Sequence, residues 1–137
     1  MTQYAREFAR CLDAKGINFS RSEKNDNHLI IPYSGDNFSP LHIVADFDED
    51  GDPTVQFRCW ELQNFKSNPA LGVVVCNDLN MKYRWIKFYL DDDRDIVATL
   101  DAVIDPDNCG PYCLLQLMRM VNILDDAYPQ IAKARWS

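Results

Sequence analysis

No run of lysine and arginine occurs in this sequence, and acids outnumber bases: Asp+Glu 21 against Lys+Arg 14, a formal charge of −7. Without a basic stripe to neutralise phosphates, nucleic acid and anionic membrane are excluded as expected partners. Long hydrophobic runs are missing too. No window approaches the ~18 apolar residues of a membrane span, and the opening MTQYAREFAR has no hydrophobic signal core. The expectation is a cytoplasmic protein that neither spans nor binds a membrane.

Chemistry-bearing patterns are equally sparse. The five glycines stand singly, so there is no phosphate-cradling loop, and neither a Gly-x-Ser-x-Gly elbow nor an evident nucleophile and base pair is present. His28 and His42 are the only histidines. With no His-x-x-His or paired Cys-x-x-Cys set beside them, they complete no four-ligand zinc site. Cys11, Cys59, Cys76, Cys109 and Cys113 are an odd number spread along the chain, which implies reduced, packed thiols rather than a disulfide framework. No enzyme activity, cofactor or metal is expected.

What is present is enough for one core. The 137 residues fit a single domain, 47% are apolar and 12% aromatic, a composition that supports a folded mixture of helix and sheet. Residues 2–15 place Tyr4, Phe8, Cys11 and Leu12 at helical spacing and stop at Gly16. Ile17 to Glu23 and Leu29 to Tyr33 read as a hairpin around Lys24-Asn25-Asp26-Asn27. Leu41, Ile43, Ala45 and Phe47 then alternate with His42, Val44 and Asp46. Val55, Phe57 and Cys59 alternate in turn with Gln56, Arg58 and Trp60.

Between these two alternating runs lies DFDEDGD, Asp46 to Asp52, the first half of a calcium-loop pattern. A full loop needs flanking helices and a bidentate glutamate at its twelfth position. Here that position is Phe57 and both flanks have strand period, so the expected structure is a solvated hairpin turn with Asp50-Gly51 supplying positive φ.

Asn68-Pro69 supplies a cap and first-turn proline for a second amphipathic helix running to about Tyr83, with Leu71, Val74, Val75 and Leu79 on its apolar side. Ile86, Phe88 and Leu90 alternate with Trp85, Lys87 and Tyr89, and DDDRD at Asp91 to Asp95 turns the chain into Ile96, Ala98 and Leu100. The last helix is expected from Pro111 to about Tyr128, apolar except for a stripe at Gln116, Arg119, Asn122 and Asp126. A helix so nearly encircled must bury more than one face. Either another helix of the chain covers it, or residues such as Leu117 and Val121 form a homodimer or partner surface. The predicted class is α+β, an antiparallel sheet of hairpins with flanking helices in the order α-ββ-ββ-α-ββ-α, one domain over 1–137.

The segment Asn77 to Val97, NDLNMKYRWIKFYLDDDRDIV, resembles the most characteristic part of the YbjN family of bacterial sensory transduction regulators, whose fold is similar to type III secretion chaperones. The resemblance is carried by Asn77 and Asn80 at i, i+3, by Arg84-Trp85, by Lys87-Phe88-Tyr89 and by Asp91-Asp92-Asp93. It extends more weakly over the rest of the chain. Arg94 departs from it, because the family commonly has glycine there, and Cys109-Gly110-Pro111-Tyr112-Cys113 lies outside the pattern. It implies a non-enzymatic fold that binds other proteins, with no catalytic residue to carry over.

Within that frame, Trp85, Lys87 and Tyr89 share one strand face, a binding platform if the sheet face is open and ordinary packing if a helix covers it. Asn77 and Asn80 either orient a partner segment or support the adjacent hairpin. The competing class is a thiol-redox protein. Cys109 and Cys113 at a helix start resemble a redox motif with one residue inserted, and such chemistry requires both sulfurs exposed in one cleft. Otherwise the sequence points to a chaperone-like or regulatory module that binds a protein partner and forms a homodimer.

Overall fold

The computed structural model describes residues 1–38, 40–60 and 62–136. The elements are α1 (Gln3–Ala14), β1 (Ser20–Arg21), β2 (His28–Tyr33), β3 (Leu41–Phe47), β4 (Thr54–Cys59), α2 (Pro69–Lys82), β5 (Lys87–Leu90), β6 (Ile96–Val103) and α3 (Cys109–Arg135). Their order is the one read from the sequence. All strands join one antiparallel sheet in the order β1-β2-β3-β4-β6-β5.

Alternation decides which side chains reach the core. Ile43, Ala45 and Phe47 of β3, Val55, Phe57 and Cys59 of β4, and Ala98 and Leu100 of β6 are buried on one face. There Phe8 of α1 meets Phe57 edge-on at 6.0 Å and tilts against Phe47 at 5.9 Å, arrangements that suit the ring quadrupoles. All three helices lie on this face, α3 between α1 and α2. Leu117, Met120, Val121, Leu124 and Ala127 of α3 are buried there. The chain's own helices and sheet therefore cover this side of α3, leaving Leu115 and Met118 exposed, and Leu117 and Val121 are core residues rather than an interface, which corrects the surface reading.

Details of β1, α2 and α3 differ from expectation. The first predicted strand shrinks to Ser20–Arg21 because Ile17 is spent on the helix end, its N–H bonding Leu12 O at 2.9 Å while Gly16 takes φ 69°. In α2 the buried stripe is Gly72, Val75, Cys76 and Leu79, whereas Val74 is exposed. Gly72 sets that phase, since a Cβ there would lie 3.0 Å from both Leu90 and Phe65.

The last helix starts at Cys109 rather than Pro111, with Asn108 at the N-cap position, and continues through Pro129 to Arg135. A proline inside a helix removes the hydrogen bond to the carbonyl four residues earlier. That carbonyl is Asp125 O, and it accepts from Asn37 Nδ2 at 3.0 Å. The Asp125 carboxylate also accepts from Asn37 N–H at 3.0 Å. The β2–β3 loop thus replaces the bond that Pro129 lacks, and Gly35 lets the loop come that close, because any Cβ there would overlap the Asp125 carboxylate.

Both acidic segments are turns between antiparallel strands. In the first, Asp48 accepts from the N–H groups of Asp50 and Asp52, each at 3.0 Å, and Gly51 adopts φ 89°. In the second, Asp91 accepts from Asp95 N–H at 2.9 Å, and Arg94 takes the left-handed conformation at φ 67°. A side chain in that region costs about 1–2 kcal/mol that glycine avoids. Arg94→Gly is therefore expected to stabilise the protein by about 1 kcal/mol, read as a higher urea midpoint at unchanged slope; a lower midpoint would show that Arg94 makes a compensating contact.

Candidate functional site

The face of the sheet opposite the helices carries His28, Ile30 and Pro32 of β2, His42, Val44 and Asp46 of β3, Gln56 and Arg58 of β4, Val97, Thr99 and Asp101 of β6, and Lys87 and Tyr89 of β5, as the registers require. No helix lies on this side among the described residues. One of its clefts, of about 280 Å³, is lined by Arg58, Trp60, Tyr89, Asp91 and Val97. Tyr89 pairs with Val97 across β5 and β6, and Cys59 pairs with Ala98, so Trp60 and Tyr89 flank Val97 from either side. Trp60 is 43% and Tyr89 39% exposed, while Val97 between them is buried.

Charge on this face is partly matched within the chain. Asp46 is 2.9 Å from His28 Nε2 and 3.2 Å from Arg58 Nη2. Gln56 donates to Asp101 at 2.7 Å. The Arg58 guanidinium lies 5.5 Å from the Trp60 ring centroid and the Lys87 ammonium 5.6 Å from that of Tyr89. Arg58 and Thr99 are direct cross-strand partners, and Arg58 Nε and Thr99 Oγ1 are buried without a hydrogen-bond partner.

The expected row of Trp85, Lys87 and Tyr89 is broken. Lys87 and Tyr89 share the uncovered face, but Trp85 precedes β5 and has φ 75°. Its ring sits 4.9 Å from the Arg119 guanidinium of α3, on the helix side of the sheet, and is 64% exposed. The left-handed backbone at Trp85 takes it out of the strand's alternation. The aromatic neighbour of Tyr89 on this face is Trp60, which follows β4, rather than Trp85. The period-two phase that placed Trp60 with Gln56 and Arg58 was the available signal for it; which strand lies beside β5 and β6 was not.

Asn80 has a structural role. Its side chain donates to Phe88 O at 2.9 Å and accepts from Phe88 N–H at 2.8 Å, forming the two bonds a neighbouring strand would make. It thereby closes the outer edge of β5. Asn77 is exposed on α2, its amide 3.5 Å from the Met81 sulfur. Asp91, Asp93 and Asp95 each bring a carboxylate oxygen within 4.8 Å of the others, in a turn that Asn64 braces by donating to Asp95 and to Asp93 O.

Cys109 and Cys113 are adjacent but buried in the first turns of α3. Cys109 donates to Tyr4 O at 3.5 Å. A hydrogen bond from Cys113 holds the Cys109 thiol below its ordinary value, and the same bond, together with burial, pushes Cys113 upward. The exposed cleft that redox chemistry requires is not met by this pair. Cys59, buried under the sheet, is pushed up to about 12 by desolvation, and Cys76 to about 11 by the same cause.

The profile of the YbjN family, described as "Putative bacterial sensory transduction regulator", matches residues 5–110. The chain belongs to the YbjN family. The crystal structure of YbjN from E. coli, described as "a putative transcription regulator", is similar at a TM-score of 0.69 and 15% identity, covering 91% of this chain and 88% of that one. At that identity the likeness concerns the fold. No curated protein matches the chain. Among the described residues, no helix of this YbjN-family protein is long and apolar enough to cross a membrane.

Replacing Asn80 tests the edge closure. Asn80→Ala leaves both Phe88 backbone groups without their partner, and is expected to cost about 2 kcal/mol in denaturant unfolding and to add concentration-dependent association through the bared β5 edge. Stability and association both unchanged would refute that role.

Proposed function

We propose that this YbjN-family protein is a non-enzymatic regulatory module of the bacterial cytoplasm, chaperone-like in binding another protein through the uncovered face of its sheet. The observation that carries the reading is the exposed pair Trp60 and Tyr89 on a sheet whose opposite face holds all the helices. Tyrosine and tryptophan concentrate at the centres of protein interfaces, where a flat ring buries large area at low entropic cost. The family's description as a regulator supports the same reading. Arg58 and Lys87 rest against the two rings.

The homodimer belongs to this proposal too, with its surface moved from Leu117 and Val121 to the apolar side chains that α2 leaves exposed, Val73, Val74 and Met81. Light scattering is expected to show a dimer that Val74→Glu, Met81→Glu converts to monomer; a wild-type monomer at high concentration removes this part.

The binding reading is tested by affinity capture from the native cell followed by mass spectrometry. One protein should be enriched by the wild type and by Trp136→Ser, an exposed tryptophan at the end of α3, yet lost with Trp60→Ser, Tyr89→Ser. Equal recovery with all three baits would sink the sheet-face assignment.

A further inference from the structure

The Trp60–Tyr89 cleft opens onto carboxylates. Asp91 lines it, and Asp92, Asp93 and Asp95 follow in the same turn. At the other end of β4 and β6 a second cleft, of about 480 Å³, is lined by Asp46, Asp48 and Asp101. The registers fix these two acidic rims at opposite ends of one strip of sheet, since Cys59 pairs with Ala98 near the first and Thr54 with Val103 near the second.

Between the rims, the rings already hold cations against them, Arg58 on Trp60 and Lys87 on Tyr89. The two cations are not equivalent. Arg58 is paired with Asp46 at 3.2 Å, whereas Lys87 has no carboxylate within ion-pair distance among the described residues and rests on the ring of Tyr89. An aromatic face attracts a desolvated cation through its quadrupole, guanidinium more often than ammonium. Lys87 therefore occupies, loosely, a place that an arginine beside Asp91 would fill better.

We infer that this strip receives an extended, arginine- or lysine-rich segment of a partner protein, one cation displacing Lys87 from Tyr89 beside Asp91 and another reaching the rim of Asp46, Asp48 and Asp101. The inference rests on the reading that the uncovered sheet face binds protein, and it names the chemistry of the partner. Complementary charge is what selects it: an acidic segment meets like charge at both ends of the strip. At ~3.3 Å per residue, about eight extended residues bridge the length of β6.

The test uses the full chain carrying Trp85→Phe and Trp136→Phe, which leaves Trp60 as the sole tryptophan. Its emission is followed against a synthetic peptide alternating glycine and arginine over about eight residues, with a glycine–glutamate peptide as control. The expected result is saturable binding of the basic peptide alone, about tenfold weaker with Tyr89→Ala or Asp91→Asn and about threefold tighter with Lys87→Ala, which removes the competing cation. Generic attraction to an acidic protein also predicts tighter binding with Lys87→Ala, which removes a positive charge, but an unchanged Kd with Tyr89→Ala, which removes only a ring, so Tyr89→Ala is the variant that separates the two. Lys87 and Tyr89 are exposed and Asp91 is half-buried, and an unchanged melting curve for each of these three variants confirms that the fold is intact.

Binding of the glutamate peptide, absence of saturation, or a Kd unmoved by Tyr89→Ala would overturn the inference. Should the basic peptide fail while Trp60→Ser, Tyr89→Ser still abolishes capture of the cellular protein, the sheet face binds protein and the basic character of its partner is wrong. Loss of both removes the sheet face altogether.

Discussion

Burial of α3 organises this molecule. A long helix that is apolar over most of its circumference cannot be satisfied by one sheet, and here α1 and α2 flank it while the sheet covers its base. That demand draws every helix to one side. The other side of the sheet is left uncovered as a direct consequence, so the surface proposed for binding and the packing of the core are two results of one constraint.

The uncovered face shows how a sheet without a second layer manages its surface. Val97 and Thr99 are buried there although no helix approaches, because they lie between the strands that carry Arg58, Trp60, Lys87 and Tyr89. Long side chains with apolar stems and polar ends provide such cover. The edge is managed as carefully. Asn80 gives Phe88 both of the bonds that a foreign strand would offer, so the edge of β5 is not free to pair there.

Strain is concentrated around β5. Trp85 and Arg94 are non-glycine residues with positive φ, one just before the strand and one in the turn after it. At Arg94 a side chain bears a cost that glycine would avoid. At Trp85 the conformation moves the ring from the sheet to Arg119 of α3, and the two-residue period therefore assigned Trp85 to the wrong surface.

Element order, strand phase and both acidic turns were legible in the sequence, because period, caps and turn residues act within a few positions of the chain. Phe57 in place of a bidentate acid and the strands on both flanks were enough to read DFDEDGD as a hairpin turn. The segment from Asn77 to Val97 carried the family. Tertiary structure alone decided that Leu117 and Val121 face inward, that Trp60 rather than Trp85 accompanies Tyr89, and that α3 passes through Pro129. Each depends on residues far apart in sequence. The helix continues because Asn37, 88 positions from Asp125, replaces the hydrogen bond that proline removes, and no local pattern encodes a partner at that separation.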